Sequence, residues 1–192
     1  VSDEILTERR GQVFVITINR PESRNAVNLA VSQGLADAVD ELDESADLPV
    51  AVITGAGGNF CAGMDLKAFA AGEIVSIRGR GIGFTERPPR KPLISAVEGY
   101  ALAGGTEVVL ATDLTEPGEA LAGAIELAER ITANGPLAVA TTKEIMVKSA
   151  DWSEDEMWKK QLEHIIPIFT SNDAKEGAIA FAAKRKPNWT GT

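Results

Sequence analysis

Three consecutive runs near the start of the chain restrict its fold more than any other feature. Residues 13–18, VFVITI, set Val13, Val15 and Thr17 on one face of an extended segment and Phe14, Ile16 and Ile18 on the other, and five of the six are apolar. Such a strand is covered on both faces, and Pro21 stops it. Residues 28–45 then place Leu35, Ala38, Val39 and Leu42 at helical spacing with acidic residues between them, which predicts an amphipathic helix. A β-branched run ended by glycines, LPVAVITGAGG (48–58), follows as a second strand. Strand, helix, strand is a βαβ unit, so at least part of the sheet is parallel with a right-handed crossover.

The segment FCAGMDLKAFAAGE (60–73) reads as a loop and a short helix with Asp65 in its first turn, where the helix dipole favours a carboxylate. Residues 72–92 are rich in Gly, Arg and Pro without either apolar period, and are expected to be a loop. LISAVEGYALAGG supplies a third strand ending near Gly99, and the helix after Gly105 carries Val108, Val109 and Leu110. Beyond Glu116 the sequence reads as helices. Gly135 closes one, Pro136 opens the next, a capping box from Ser153 to Glu156 opens a third, and NDAKEGAIAFAAKRK is the last.

A net charge of −9, with 28 acidic against 19 basic residues, excludes non-specific nucleic-acid binding, which needs a basic surface. Cys61 is the single cysteine, so no internal disulfide forms, and no apolar run is long enough to span a bilayer. The expectation is a cytoplasmic protein that meets neither membrane nor nucleic acid.

The turn GYALAGGTE (99–107) carries the chemistry. A strand passing through two glycines into a helix leaves helix N-terminal N–H groups unpaired and lets another molecule approach the backbone. Glu107, three residues beyond Gly104, adds a proton-transfer group to that anion-binding turn. Taken alone, the turn is better explained by Glu107 complementing the helix dipole and the glycines permitting close packing. The second glycine loop, GGNFCAGMDL, has the same ingredients. Two N–H donors converging on one oxygen are what an oxyanion hole requires.

These two stretches, with RPESRNAVN near the start and FTSNDAKEGAIAFAAKRKPNWTG at the end, resemble the crotonase (enoyl-CoA hydratase/isomerase) superfamily. The resemblance implies an α/β fold, a crotonase-like (ClpP/crotonase) spiral of ββα units with a helical C-terminal region. It places the core in residues 1–114, and in residues 115–192 a helical part that trimerises and covers coenzyme A. It further implies a homo-oligomer, trimer or dimer of trimers, acting on an acyl-CoA thioester in fatty acid metabolism, with no cofactor besides the coenzyme A of the substrate and no metal. By resemblance the N–H groups of Met64 and Gly104 hold the thioester oxygen and Glu107 is the acid/base. Arg24, Ala26, the backbone of Ala62, Asp65, Leu66 and Lys67, and Phe181 and Lys184 across a subunit interface, contact the coenzyme A portion. The implied activity is hydration of a 2-enoyl thioester through an enolate.

One departure bears on mechanism. The hydratases of this family carry a further strand, a second glutamate and more helix after the first glutamate, whereas here LATDL runs directly into TEPGEALAGAIELAERI. Residues are expected to be absent between Leu114 and Thr115. With Glu107 alone, a proton shuttle between C2 and C4, as in the isomerases, is the competing chemistry, and an acyl-CoA binder without turnover is the non-enzyme alternative. Other readings have less behind them. GAGGNF lacks the third glycine of a dinucleotide motif where Phe60 stands, and His164 is embedded in a helix with no nucleophile elbow in sight. Cys61 has no histidine near it in sequence, and no metal-ligand spacing occurs. Trp152, Trp158 and Trp189 are expected to pack or to meet another subunit.

Overall fold

A computed structural model describes residues 3–103, Gly105, Val108 and residues 118–192. Four strands form one sheet in chain order: β1 (Ile5–Arg10), β2 (Val13–Ile18), β3 (Val50–Gly55) and β4 (Leu93–Ala96). The β2, β3 and β4 strands run parallel, as the βαβ pattern requires, with Val15 opposite Val52 and Val52 opposite Ile94. An antiparallel edge, β1, pairs Ile5 with Ile18 and Arg10 with Val13, turning at Gly11 (φ 60°). No period in the sequence announces β1, because only Ile5 of its six residues is buried.

The alternation of β2 sorts its side chains into two cores. Phe14, Ile16 and Ile18 pack with Ala51, Ile53 and Leu93 beneath α1 (Leu29–Glu44), whose Val31, Leu35, Val39 and Leu42 are fully buried. Asn28 caps α1 by accepting from the Val31 N–H (2.9 Å), satisfying a donor the helix itself leaves unpaired. On the opposite face Val13, Val15, Val50, Val52, Ile94 and Ala96 meet α3 (Ala120–Thr132). Ala120, Ala124 and Ala128, one turn apart, let this helix lie close on the sheet. Ala124→Leu is therefore expected to lower the unfolding free energy by about 1–3 kcal/mol through overpacking. Urea denaturation measures this, and a midpoint unchanged from the parent would contradict the close docking of α3.

Pro136 occupies the first turn of α4 (Pro136–Lys148), Ser153 precedes α5 (Glu154–Phe169), and Ser171 caps α6 (Asn172–Ala182). The expected capping box is realised only in part. The Ser153 hydroxyl bonds the Glu156 carboxylate (2.8 Å) and makes no side-chain bond to the helix amides, so residue type alone overstated the cap. In α5, His164 stacks on Trp152, with ring centroids 5.9 Å apart. At the chain end, the buried Asp173 carboxylate accepts from Thr190 and Gly191 N–H, and Trp189 donates to the Ala133 carbonyl while lying across Gly177.

Arg185 grips Glu176 through both carboxylate oxygens (2.6 and 2.9 Å), and the Asn188 N–H adds a third bond. The Arg185 hydrogen bond first, and the Asn188 N–H second, hold the Glu176 carboxyl down at about 2. Because the folded value lies below the unfolded one, this clamp contributes above the ordinary carboxylate range and is lost as pH falls toward about 2. An NMR titration should place the Glu176 midpoint near that value, and an ordinary carboxylate midpoint would contradict the clamp.

Candidate active site

Both glycine turns sit at the carboxyl ends of neighbouring parallel strands, where ligands of α/β sheets collect. After β3 the chain passes through residues 56–65 into α2 (Leu66–Ala70), and after β4 through residues 97–103 to Gly105. Main-chain bonds continue the β3–β4 pairing beyond the strands: Phe60 N–H to Glu98 C=O (2.7 Å), Cys61 N–H to Tyr100 C=O (2.8 Å) and Leu102 N–H to Cys61 C=O (3.0 Å). The turns thus lie side by side. A Cβ on Gly105 would stand 2.4 Å from the Cys61 carbonyl oxygen, which explains why glycine is required there. Gly104 and Glu107 lie outside the described residues. Their neighbours are placed, since Gly105 donates to the Leu102 carbonyl (2.7 Å) and the buried Val108 accepts from the Ser95 hydroxyl (3.4 Å).

The other side of the first turn is stitched to residues 24–28. Ala62 N–H reaches the Arg24 carbonyl (3.0 Å), Val27 N–H the Gly63 carbonyl (2.8 Å) and Asp65 N–H the Val27 carbonyl (2.8 Å). Gly63 N–H turns to the Cys61 sulfur (3.4 Å). A trans peptide plane sets its N–H opposite to its C=O. Since the Gly63 carbonyl is aimed at Val27, the Met64 N–H in the same plane points away from residues 24–28, and it has no partner among the described residues. Met64 itself is 36% exposed. One main-chain donor without a partner among the described residues is therefore held in place by the bonds of the residues on both sides of it.

Backbone strain collects at the same place. The described non-glycine residues with left-handed φ are Arg24 (52°), Asn25 (57°), Ala103 (45°) and Lys184 (53°); Ala103 lies in the second turn, and Arg24 and Asn25 in the segment stitched to the first. Such conformations persist only where surrounding bonds over-determine them. Asn25 supplies those bonds, its buried side chain accepting from Arg20 N–H (2.9 Å) and donating to the Ala56 (2.8 Å) and Asn59 (2.6 Å) carbonyls.

Asp65 is the N-cap of α2 rather than a first-turn residue, and it accepts from Lys67 and Ala68 N–H. Burial pushes its carboxyl up, but the Ala68 N–H, Arg20 and the Lys67 N–H outweigh burial and hold it below the usual range. Its side chain is thus engaged within the protein. Ala26 is buried, with its carbonyl accepting from Arg20, whereas Leu66, Lys67 and Arg24 are exposed at the rim. The Arg24 guanidinium lies 5.4 Å from the centroid of the Tyr100 ring, joining residues 24–28 to the second turn by a cation–π contact. Phe181 is 88% exposed on α6, which packs against α5, and Lys184 follows that helix. Burial raises the Cys61 thiol, partly offset by the Gly63 N–H, as suits an inert core sulfur.

Glu98 is a site-adjacent carboxylate that sequence reasoning missed. It accepts from Gly118 and Ala120 N–H (2.9 Å each), and these bonds hold it below the usual carboxylate range while fastening the start of α3 to the second turn. Arg20, Asn25 and Tyr100 were missed as well, because their partners lie far away in sequence. Among the described residues no cluster of metal-ligating side chains occurs, and no helix is long and apolar enough to cross a membrane.

Two glycine turns bonded side by side at the carboxyl ends of neighbouring parallel strands form a candidate ligand-binding site of an α/β protein. Residues 8–120 match the enoyl-CoA hydratase/isomerase family model, and the chain belongs to that family. The chain is 33% identical to enoyl-CoA hydratase EchA19 of Mycobacterium tuberculosis, over 97% of this chain and 96% of that one. Identity to the carnitinyl-CoA dehydratase of Salmonella arizonae is 31%, over the whole of both. Those alignments run over 256 and 261 positions against a chain of 192 residues, so each relative holds dozens of residues without a counterpart here. The fold is that of crystallised enoyl-CoA hydratases. That of Mycobacterium tuberculosis superposes with a TM-score of 0.96 at 50% identity, covering 100% of both chains, and a probable hydratase/isomerase of Mycobacterium abscessus with 0.95 at 49%, again covering 100% of both.

Proposed function

We propose that this chain is a hydro-lyase that adds water across the 2,3 double bond of an enoyl-CoA thioester. Water attack at C3 moves charge through C2 onto the thioester oxygen, and donors aimed at that oxygen stabilise the transition state more than the ground state. The Met64 N–H and the Gly104 N–H together hold this oxygen. Glu107 moves the proton. The observation that carries the reading is the Met64 N–H, which has no partner among the described residues and is held by the bonds of Gly63 and Asp65 to Val27. The hydratase and dehydratase names of the relatives support the direction of chemistry. Arg24, Lys67, Leu66 and the main chain at Ala62 and Ala26 line the approach for the coenzyme A portion, and Lys184 and Phe181 approach it from another copy of the chain. The exposed apolar side chains Trp158, Leu162, Ile166 and Phe169 along α5 support a homo-oligomer, a trimer or dimer of trimers. Coenzyme A is part of the substrate, and the chemistry asks for no further cofactor.

A second reading has a specific observation behind it. The longer relatives hold residues that this chain lacks, and the family match ends at residue 120, just past the joint between Leu114 and Thr115, which lies outside the described residues. Where that segment would bring a second glutamate, Glu107 alone suits isomerisation between 3-enoyl and 2-enoyl thioesters. A steady-state assay separates the readings. Hydration removes the ultraviolet absorbance of a 2-enoyl-CoA with uptake of water, isomerisation creates that absorbance from a 3-enoyl-CoA, and a binder does neither while still titrating with coenzyme A. Loss of the 2-enoyl absorbance is expected, and its persistence contradicts the hydro-lyase reading.

A further inference from the structure

We infer that Arg20, at the exit of β2, is a positioning residue for the Met64 amide; this rests on the oxyanion role proposed above for that amide. Its side chain is 15% exposed, and its guanidinium reaches three acceptors: the Ala26 carbonyl (2.6 Å), the Asp65 carboxylate (3.0 Å) and the Glu4 carboxylate (3.3 Å). Two of these acceptors bracket the stitched segments. Ala26 belongs to residues 24–28, and Asp65 follows Met64 directly while its own N–H returns to Val27. Arg20 thereby clamps the peptide C-terminal to the free donor from its side-chain end, while Val27 clamps it from the main chain. A planar fork of donors is needed for this; an ammonium does not span the three sites.

Glu4 explains why the charge matters as well as the geometry. Glu4 Oε1 takes both Arg20 and the Asn28 amide (3.1 Å), whereas Oε2 is buried with no partner among the described residues. Glu4 and Asp65 thus share one cation. Removing it leaves two part-buried carboxylates without their shared counter-charge, one of them in the turn that carries Met64. Ground-state binding of coenzyme A at the exposed rim does not depend on this link, whereas alignment of one N–H with a developing oxyanion does.

Arg20→Met and Asp65→Asn, singly and together, test the assignment. Each single variant is expected to lower kcat between about tenfold and a hundredfold, the scale of an ångström of misplacement at a reacting centre, with KM within about twofold of the parent. The double variant falls no further than the worse single one, since both break one link. A kcat within twofold of the parent, or a fall confined to KM, overturns the inference, provided assays run below each variant's thermal midpoint. Hydrogen exchange gives a readout independent of turnover. Arg20→Met should speed exchange over residues 61–69 by at least about tenfold while leaving residues 172–182 unchanged; unchanged exchange over 61–69 overturns it. Failure of the parent to turn over any enoyl thioester would defeat the proposed function instead, and the exchange measurement would still decide Arg20.

Discussion

Glu107→Gln is expected to lower kcat by about 10²–10⁴ while leaving the dissociation constant for coenzyme A near that of the parent. The substitution keeps the size of the side chain and its hydrogen-bonding reach but removes the capacity to accept and release a proton. Gly105 is wedged against Cys61 on one side of Glu107 in sequence, and on the other the buried Val108 accepts from the Ser95 hydroxyl, so both described neighbours are fixed. The two carboxylates on the described parts of the two turns are already engaged. Asp65 is engaged by Arg20 and the start of α2, and Glu98 by the start of α3. Stopped-flow or steady-state rates with a 2-enoyl-CoA measure the loss, with isothermal titration of coenzyme A as the binding control. Undiminished turnover would remove Glu107 from the mechanism.

The second large effect is steric. Gly105→Ala places a methyl group 2.4 Å from the Cys61 carbonyl oxygen and 3.0 Å from the Cys61 Cβ. Cys61 has little room to yield, because its N–H is bonded to Tyr100 and its carbonyl to Leu102. The methyl group therefore drives the two turns apart, separating the donors proposed to meet at one oxygen. The expected result is a fall in kcat/KM of about 10²-fold, with a loss of about 1–3 kcal/mol in unfolding free energy. Activity equal to the parent's would show that the turns can separate without cost to the chemistry.

Much of this geometry was legible in the residues. The faces of β2, the buried stripe of α1 and the parallel β2–β3 pairing follow from apolar spacing, because two covered sheet faces and one covered helix face leave regular periods. The convergence of two glycine loops was readable for the same reason: consecutive parallel strands end at the same edge. The antiparallel β1 was not, since an exposed edge leaves no alternation, and the serine of the expected capping box bonds a side chain in place of an amide. Arg20, Asn25 and Glu98 escaped because each acts on a partner between 20 and 45 residues or more away by folding alone, and polar side chains carry no period. Arg20 reads as an ordinary surface cation beside a proline until Asp65 and Glu4 are seen on either side of it.

A structure of the protein with a bound acyl-CoA thioester analogue tests the central claim most directly. The thioester oxygen should lie about 2.7–3.1 Å from the Met64 main-chain nitrogen, on the side facing away from Val27. A carbonyl bound elsewhere, with the Met64 N–H left facing solvent, would contradict the account.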